Sequence, residues 1–142
     1  MLEASEKKLQ DFVSARGLKQ SKTRWTIAKL VLKSGGHLDA QAIVDLIREQ
    51  NPEIGAATVY RNLSLFCDAE ILKESLTDQN GRVLYELHEE GHHDHIVCTD
   101  CGQIFEFQSE KIESLQRAIT KKMGFDEIKH RHVVYASCRF LK

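Results

Sequence analysis

Long apolar runs are missing from this chain: no stretch approaches the roughly 20 residues that a membrane span needs. The opening segment MLEASEKKLQ lacks the apolar core of a signal peptide, so the expected compartment is the cytoplasm. Cysteine is scarce. Four cysteines, unevenly placed, are too few for a disulfide scaffold. Proline occurs once, at Pro52 after Asn51, where it ends a helical pattern. A dominant charge is absent too: the net charge of -1 does not by itself point to nucleic acid. There is no internal repeat and no low-complexity tract.

What is present is unevenly distributed. With 142 residues and 42% apolar content the chain can bury a core, as one domain or as two modules of about 70 residues each. Modules that small usually need a metal, a disulfide or a partner subunit. Residues 1–33 hold eight Lys or Arg against three acids, a local excess that suits either a phosphate backbone or a solvated helical face. Six of the seven histidines follow residue 87, four of them within 88–95. Beside them, Cys98 and Cys101 form a CxxC, and clustered imidazole and thiolate share an affinity for borderline transition ions. Cys67 falls in a helical apolar pattern with Leu63 and Phe66 and reads as a core cysteine.

Periodicity places the elements. Helices are expected over 5–15 and 24–33, the second stopped by Gly35-Gly36. Asp39 caps a third, striped by Ile43, Leu46 and Ile47, and a fourth starts near Ala57 with Val59, Leu63 and Phe66 on one face. Strands 71–77 and 83–87 flank a turn at Asn80-Gly81. This is the order of a winged helix-turn-helix. Beyond it, strands are expected at 96–98, 103–107 and 128–135, with a helix from Ser109 or Glu110 to Met123 closed by Gly124. The fold class is α+β: an N-terminal winged helix-turn-helix over 1–87, a polar hinge over 88–95, and a small α/β domain over 96–142. The exposed sheet edges of so small a module are best removed by pairing across a dimer.

Two stretches carry chemistry. In HHDHIVCTDCGQIFEF, residues 92–107, extended backbone sends His93 and His95 to one side and His92 and Asp94 to the other, so one segment can serve two metal sites. Glu86 and Glu106 join His93 and His95 in a nitrogen-and-oxygen set suited to divalent Fe, Mn, Co or Zn. In GAATVYRNLSLF, residues 55–66, the small residues Ala56, Ala57 and Thr58 open a helix that can approach a DNA groove closely. Tyr60 and Arg61 follow. Alone, Tyr60 reads equally as a half-buried aromatic and Arg61 as a solvated side chain.

GAATVYRNLSLF closely resembles the recognition helix of the ferric uptake regulator family, and GLKQSKTR at 17–24 resembles that family's entry to its second helix. The resemblance spans about residues 10 to 138. It implies a metal-dependent, dimeric transcriptional regulator, not an enzyme, that binds double-stranded A·T-rich palindromic DNA. Lys19 maps onto a lysine that enters the minor groove, and Ala57, Thr58, Tyr60 and Arg61 onto the recognition helix. Arg24 is counted with them, preceded by Thr23 where the family usually has a proline. The resemblance further implies a regulatory site of His37, Glu86, His93, His95 and Glu106, taking Fe(II) with Mn(II), Co(II) or Zn(II) as substitutes. His37 would otherwise read as structural or exposed.

A second implied site, His92, Asp94, Glu113 and His130, is complete and suits Zn(II). Cys98, Cys101 and Cys138 match an incomplete structural zinc site: Leu141 and Lys142 stand where a second C-terminal cysteine would be. Either three thiolates take a borrowed fourth ligand, or the site is weak or empty. Within the family, the peroxide-sensing branch carries aspartate at the position of Glu106 and the zinc-uptake branch a cysteine at that of Glu86, so the iron-responsive branch fits best. A metallohydrolase and a metal buffer are the rivals; the buffer leaves GAATVYRNLSLF and Lys19 unexplained. The operator, and whether two dimers bind together on it, stay open.

Overall fold

The computed structural model describes residues 2–88 and 91–138. Two positions of the expected hinge, 89 and 90, lie outside the described residues, as do Leu141 and Lys142. The chain divides into two compact units, Met1–Thr77 with Gly81–Glu89, and Asp78–Asn80 with Glu90–Lys142.

The first unit opens with helices α1 (Leu2–Ala15) and α2 (Lys22–Ser34), then a two-residue strand β1 (Leu38–Asp39). Helices α3 (Ala40–Gln50) and α4 (Ala56–Asp68) follow, and strands β2 (Leu72–Thr77) and β3 (Val83–Leu87) close it. The three strands pair in the order β1-β3-β2, antiparallel, with a bulge between Glu74 and Thr77. That is the winged helix expected of the sequence. Its core takes one stripe from each helix: Leu9 and Val13, Ile27 and Val31, Ile43 and Ile47, then Val59, Leu63 and Phe66. Each set repeats at three- or four-residue spacing, so one face of every helix is dry and the other carries charge.

Ends are set by side chains. Ser21 caps α2, its Oγ accepting from Arg24 N at 3.2 Å. Thr23 is therefore the second residue of the helix, where an N–H has no intrahelical acceptor, and the missing proline removes no hydrogen bond. Asp39 caps α3: one oxygen accepts from Ala42 N at 2.8 Å, and the other meets Arg82 Nη1 at 2.7 Å. Between β2 and β3, Gly81 sits at φ +79°, a left-handed position that the turn requires. Cys67 is half-buried against the core, and burial, then Glu74 and Asp68, push its thiol up to about 11.

The second unit holds β4 (Asp94–Cys98), β5 (Ile104–Phe107), α5 (Glu110–Lys122) and β6 (Val133–Ala136). Its sheet runs β5-β4-β6, with β4–β5 antiparallel and β4–β6 parallel. Helix α5 ends in a Schellman turn. Phe125 N donates to Thr120 O and Gly124 N to Lys121 O, each at 3.0 Å, with Gly124 at φ +85°. Yet α5 buries none of its residues, and the buried apolar residues of this unit are Val97 and Cys98 alone among those described.

One element is unannounced by the sequence, and one expectation needs correction. Strand β1 has no sequence signal, being two residues long and created by its pairing with Leu84 and Tyr85. The strand expected over 128–135 begins only at Val133, opposite His95. Ile128 is 96% exposed and His130 is turned toward other polar side chains, and the ladder is joined at His132, whose O accepts from His95 N at 3.2 Å.

Asp39→Ala removes the α3 cap and leaves Arg82 without its carboxylate. We expect a loss of about 1 kcal/mol or somewhat more, read as a lower urea midpoint at unchanged slope. For Cys67, a thiol pushed up to about 11 from 9 carries about a hundredfold less thiolate at pH 8. Its alkylation, mapped by mass spectrometry, should be slower by that factor and rise about tenfold per pH unit.

Candidate metal centres and nucleic-acid surface

In the first unit, β1 and β3 bring two of the expected ligands together. His37 lies just before β1, Glu86 is on β3, and His37 Nε2 is 2.5 Å from Glu86 Oε2. Glu86 is 6% exposed. The same Oε2 accepts from Ser75 Oγ at 2.7 Å, and Oε1 faces Lys73 Nζ at 2.7 Å. Burial pulls the carboxyl upward, but His37, Lys73 and Ser75 together hold it far below the usual carboxylate range. Lys73 and Ser75 are residues that sequence reasoning missed. They alternate on β2 across from β3, Lys73 directly opposite Glu86.

The second unit holds the remaining members of that set. His93 Nε2 is 3.8 Å from Glu106 Oε1, and the His93 and His95 rings stand 5.0 Å apart, nearly perpendicular. His95, 4% exposed, is the direct cross-strand partner of Glu106. On the other side of the chain, His92 Nε2 meets Asp94 Oδ1 at 2.9 Å. The expected alternation holds, even though β4 itself starts only at Asp94.

His92, Asp94, Glu113 and His130 converge: one ligand atom from each lies within 4.8 Å of the others. His130 Nε2 is 2.7 Å from His92 Nε2 and 3.2 Å from Glu113 Oε1, and His92 Nε2 is 3.3 Å from Glu113 Oε1. Around a tetrahedral ion with ligands at about 2.0–2.1 Å, neighbouring ligand atoms stand about 3.3 Å apart. The set fits such an ion. Asp94 is 1% exposed, and its Oδ2 has no hydrogen-bond partner, as is true of the buried His132 Nδ1 3.7 Å away.

The cysteines form a third group. Cys98, Cys101 and Cys138 put their sulfurs within 4.8 Å of one another, and Cys101 and Cys138 are 3.9 Å apart. Thiolates at about 2.3 Å on a tetrahedral zinc would be about 3.8 Å apart, so three corners fit. Cys98 is the first to ionise. A hydrogen bond from Cys138 holds it down to about 6, while Cys138, donating that proton, is pushed up to about 12. Cys138 is steadied by Asp100, whose Oδ2 accepts from its backbone N at 3.1 Å and from Ser137 Oγ at 2.7 Å.

On α4, Val59, Leu63 and Phe66 face the core, which leaves Ala57, Tyr60, Arg61 and Ser64 on the exposed face. Tyr60 is 46% exposed. Arg61 folds back along its own helix, with Nε 3.3 Å from Ala57 O and Nη2 3.4 Å from Thr58 Oγ1. Gly55 supplies no side-chain acceptor, so the first N–H groups of α4 carry no cap. Lys19 is exposed on the loop before α2. Arg24 Nη1 donates to Lys19 O at 3.0 Å, which makes Arg24 a brace for that loop.

Residues 15–135 match the ferric uptake regulator family. The chain is 41% identical over 123 residues to the ferric uptake regulation protein of Bordetella parapertussis, covering 86% of this chain and 88% of that one. Its fold superimposes on the Helicobacter pylori ferric uptake regulator, described as having three functional metal binding sites. The TM-score is 0.85 at 30% identity, covering 99% and 93% of the two chains. The Francisella tularensis ferric uptake regulator, solved with iron, gives 0.77 at 37% identity over 87% and 94%. A winged helix followed by a small strand-and-helix unit is thus shared in fold, and this chain carries three groups of imidazole, carboxylate and thiolate side chains that could hold a metal ion. The chain belongs to the ferric uptake regulator family of metal-dependent transcriptional repressors, and is a regulator, not an enzyme.

Proposed function

We propose that this regulator represses iron-acquisition genes when Fe(II) is plentiful, with Mn(II), Co(II) or Zn(II) able to substitute. Residues 1–87 would read DNA, 88–95 act as a hinge, and 96–142 join two chains into a dimer. The observation that carries this reading is the division of the donors: His37 and Glu86 belong to the first unit, His93, His95 and Glu106 to the second. A coordination sphere drawing on all five side chains would couple the units. The bound ion supplies positive charge and directional coordination bonds, and nitrogen-with-oxygen donors suit Fe(II).

Two-fold related half-sites demand recognition helices about 34–36 Å apart. Units free to swing about the hinge meet that demand rarely, whereas units sharing five ligands meet it at small entropic cost. Linkage then requires DNA to tighten metal binding as much as metal tightens DNA binding. His92, Asp94, Glu113 and His130 would hold Zn(II), as would the three cysteines. On DNA, Ala57, Thr58, Tyr60 and Arg61 would meet the major groove of an A·T-rich palindrome, and Lys19 the adjacent minor groove. Arg24 would keep the Lys19 loop in place.

Dimerisation is supported by apolar side chains left in water in the second unit: Leu115, Ile119, Met123 and Phe125 are 51–68% exposed. Leu115 and Ile119 lie on α5, Met123 and Phe125 just beyond its end, an area that a second copy would cover. Among the described residues no helix is long and apolar enough to cross a membrane.

Gel-shift titration against an A·T-rich palindrome should show binding with Mn(II) and little without. In His37→Ala that dependence should vanish while metal at the second-unit clusters is retained. A wild type that ignores metal overturns the regulatory reading. Arg61→Ala should cost about 1–3 kcal/mol of DNA affinity, and Lys19→Ala should lower the salt slope by about 1. Ile119→Asp should shift the protein toward monomer in sedimentation velocity.

A further inference from the structure

His130 enters the four-residue cluster through Nε2, and its other ring nitrogen is already engaged. Nδ1 lies within hydrogen-bonding distance of Glu127 Oε1. Gln116 Nε2 donates to that same oxygen at 2.8 Å. Gln116 follows Glu113 by three residues on α5, so one helix face carries both a cluster member and the residue that steadies Glu127. The Glu127 side chain is only 17% exposed, and its Oε2 is buried without a hydrogen-bond partner. An ordinary surface glutamate keeps both oxygens in water. This one is held out of it.

We infer that Glu127 is a positioning residue for the His92–Asp94–Glu113–His130 cluster: it fixes the His130 proton on Nδ1 and so presents the Nε2 lone pair to a divalent ion. The inference rests on reading those four residues as a metal site. A neutral imidazole has one N–H, and the acceptor beside one nitrogen decides which nitrogen is left to ligate. His130 Nε2 stands 2.7 Å from His92 Nε2. With Nδ1–H turned to Glu127, a neutral His130 has only a lone pair at Nε2, the nitrogen that faces His92 and Glu113. Gln116 fixes the carboxylate, and through it the plane of the ring. A carboxylate behind a ligating histidine also raises its basicity, and loss of such a partner typically lowers metal affinity by about 10- to 100-fold.

Zn(II) affinities of the full-length protein, measured by competition with a chromophoric chelator, test this. The binding step that Glu113→Gln abolishes identifies the cluster. Glu127→Leu should weaken that step by about 10- to 100-fold and leave the others unmoved. Glu127→Gln, which keeps an accepting oxygen but loses the charge, should fall between. In the metal-free protein, ¹⁵N shifts of the His130 ring should report Nδ1–H in wild type and a mixture of tautomers in Glu127→Leu. Unchanged affinity with an unchanged tautomer in both Glu127 variants overturns the positioning role. If no step responds to Glu113→Gln, the metal-site reading itself fails, and the inference with it.

Discussion

The second unit depends on a polar cluster where most small domains depend on a core. Its described residues bury two apolar side chains, Val97 and Cys98, and α5 buries none. Glu113 of α5 meets Asp94, His92 and His130, while Ile112 beside it is half-buried. That meeting is not favourable by itself. Two carboxylate oxygens within 4.8 Å of each other repel by about 3–4 kcal/mol at an effective dielectric near 20, and Asp94 is almost fully withdrawn from water. A divalent ion bound among them would offset that repulsion, which would couple the packing of the helix to metal binding.

The first unit follows a different economy. A continuous core drawn from four helices and the sheet holds it together, and its buried carboxylate is already compensated. Glu86 has His37 and Ser75 on one oxygen and Lys73 on the other, so it needs no ion to be tolerable in the interior. The structural contrast separates the two kinds of site that the family reading assigns. In the second unit the carboxylates of Asp94 and Glu113 lie beside two imidazoles, with Arg117 Nη1 3.9 Å from Glu113 Oε2. In the first unit Glu86 is balanced by neighbouring side chains with which any ligand must compete.

Much of this was legible in the chain, and the reasons are particular. Stripes such as Val59, Leu63 and Phe66 announce a helix because a 3.6-residue period puts them on one dry face. The alternation of His92 and Asp94 against His93 and His95 is a property of extended backbone alone, and the contacts follow it. What could not be read were pairings made only in three dimensions. Lys73 opposes Glu86 because of strand register, which no local signal specifies. Glu127 sits just before the strand expected over 128–135, and its meaning comes from His130 three residues on and from Gln116, which α5 brings beside it. Strand β1 exists only because β3 offers it an edge.

Asp94 and Cys98 stand at opposite ends of β4, and β4 is the middle strand of its sheet, gripped on one side by β5 and on the other by β6. Backbone amides in such a strand exchange with solvent only when the sheet opens, so neither terminus can wander while the ladder is intact. The strand thus acts as a strut between the nitrogen-and-oxygen cluster and the sulfur cluster. A side chain that cannot drift away would rebind an ion before it escaped, a chelate effect imposed by a ladder of peptide hydrogen bonds.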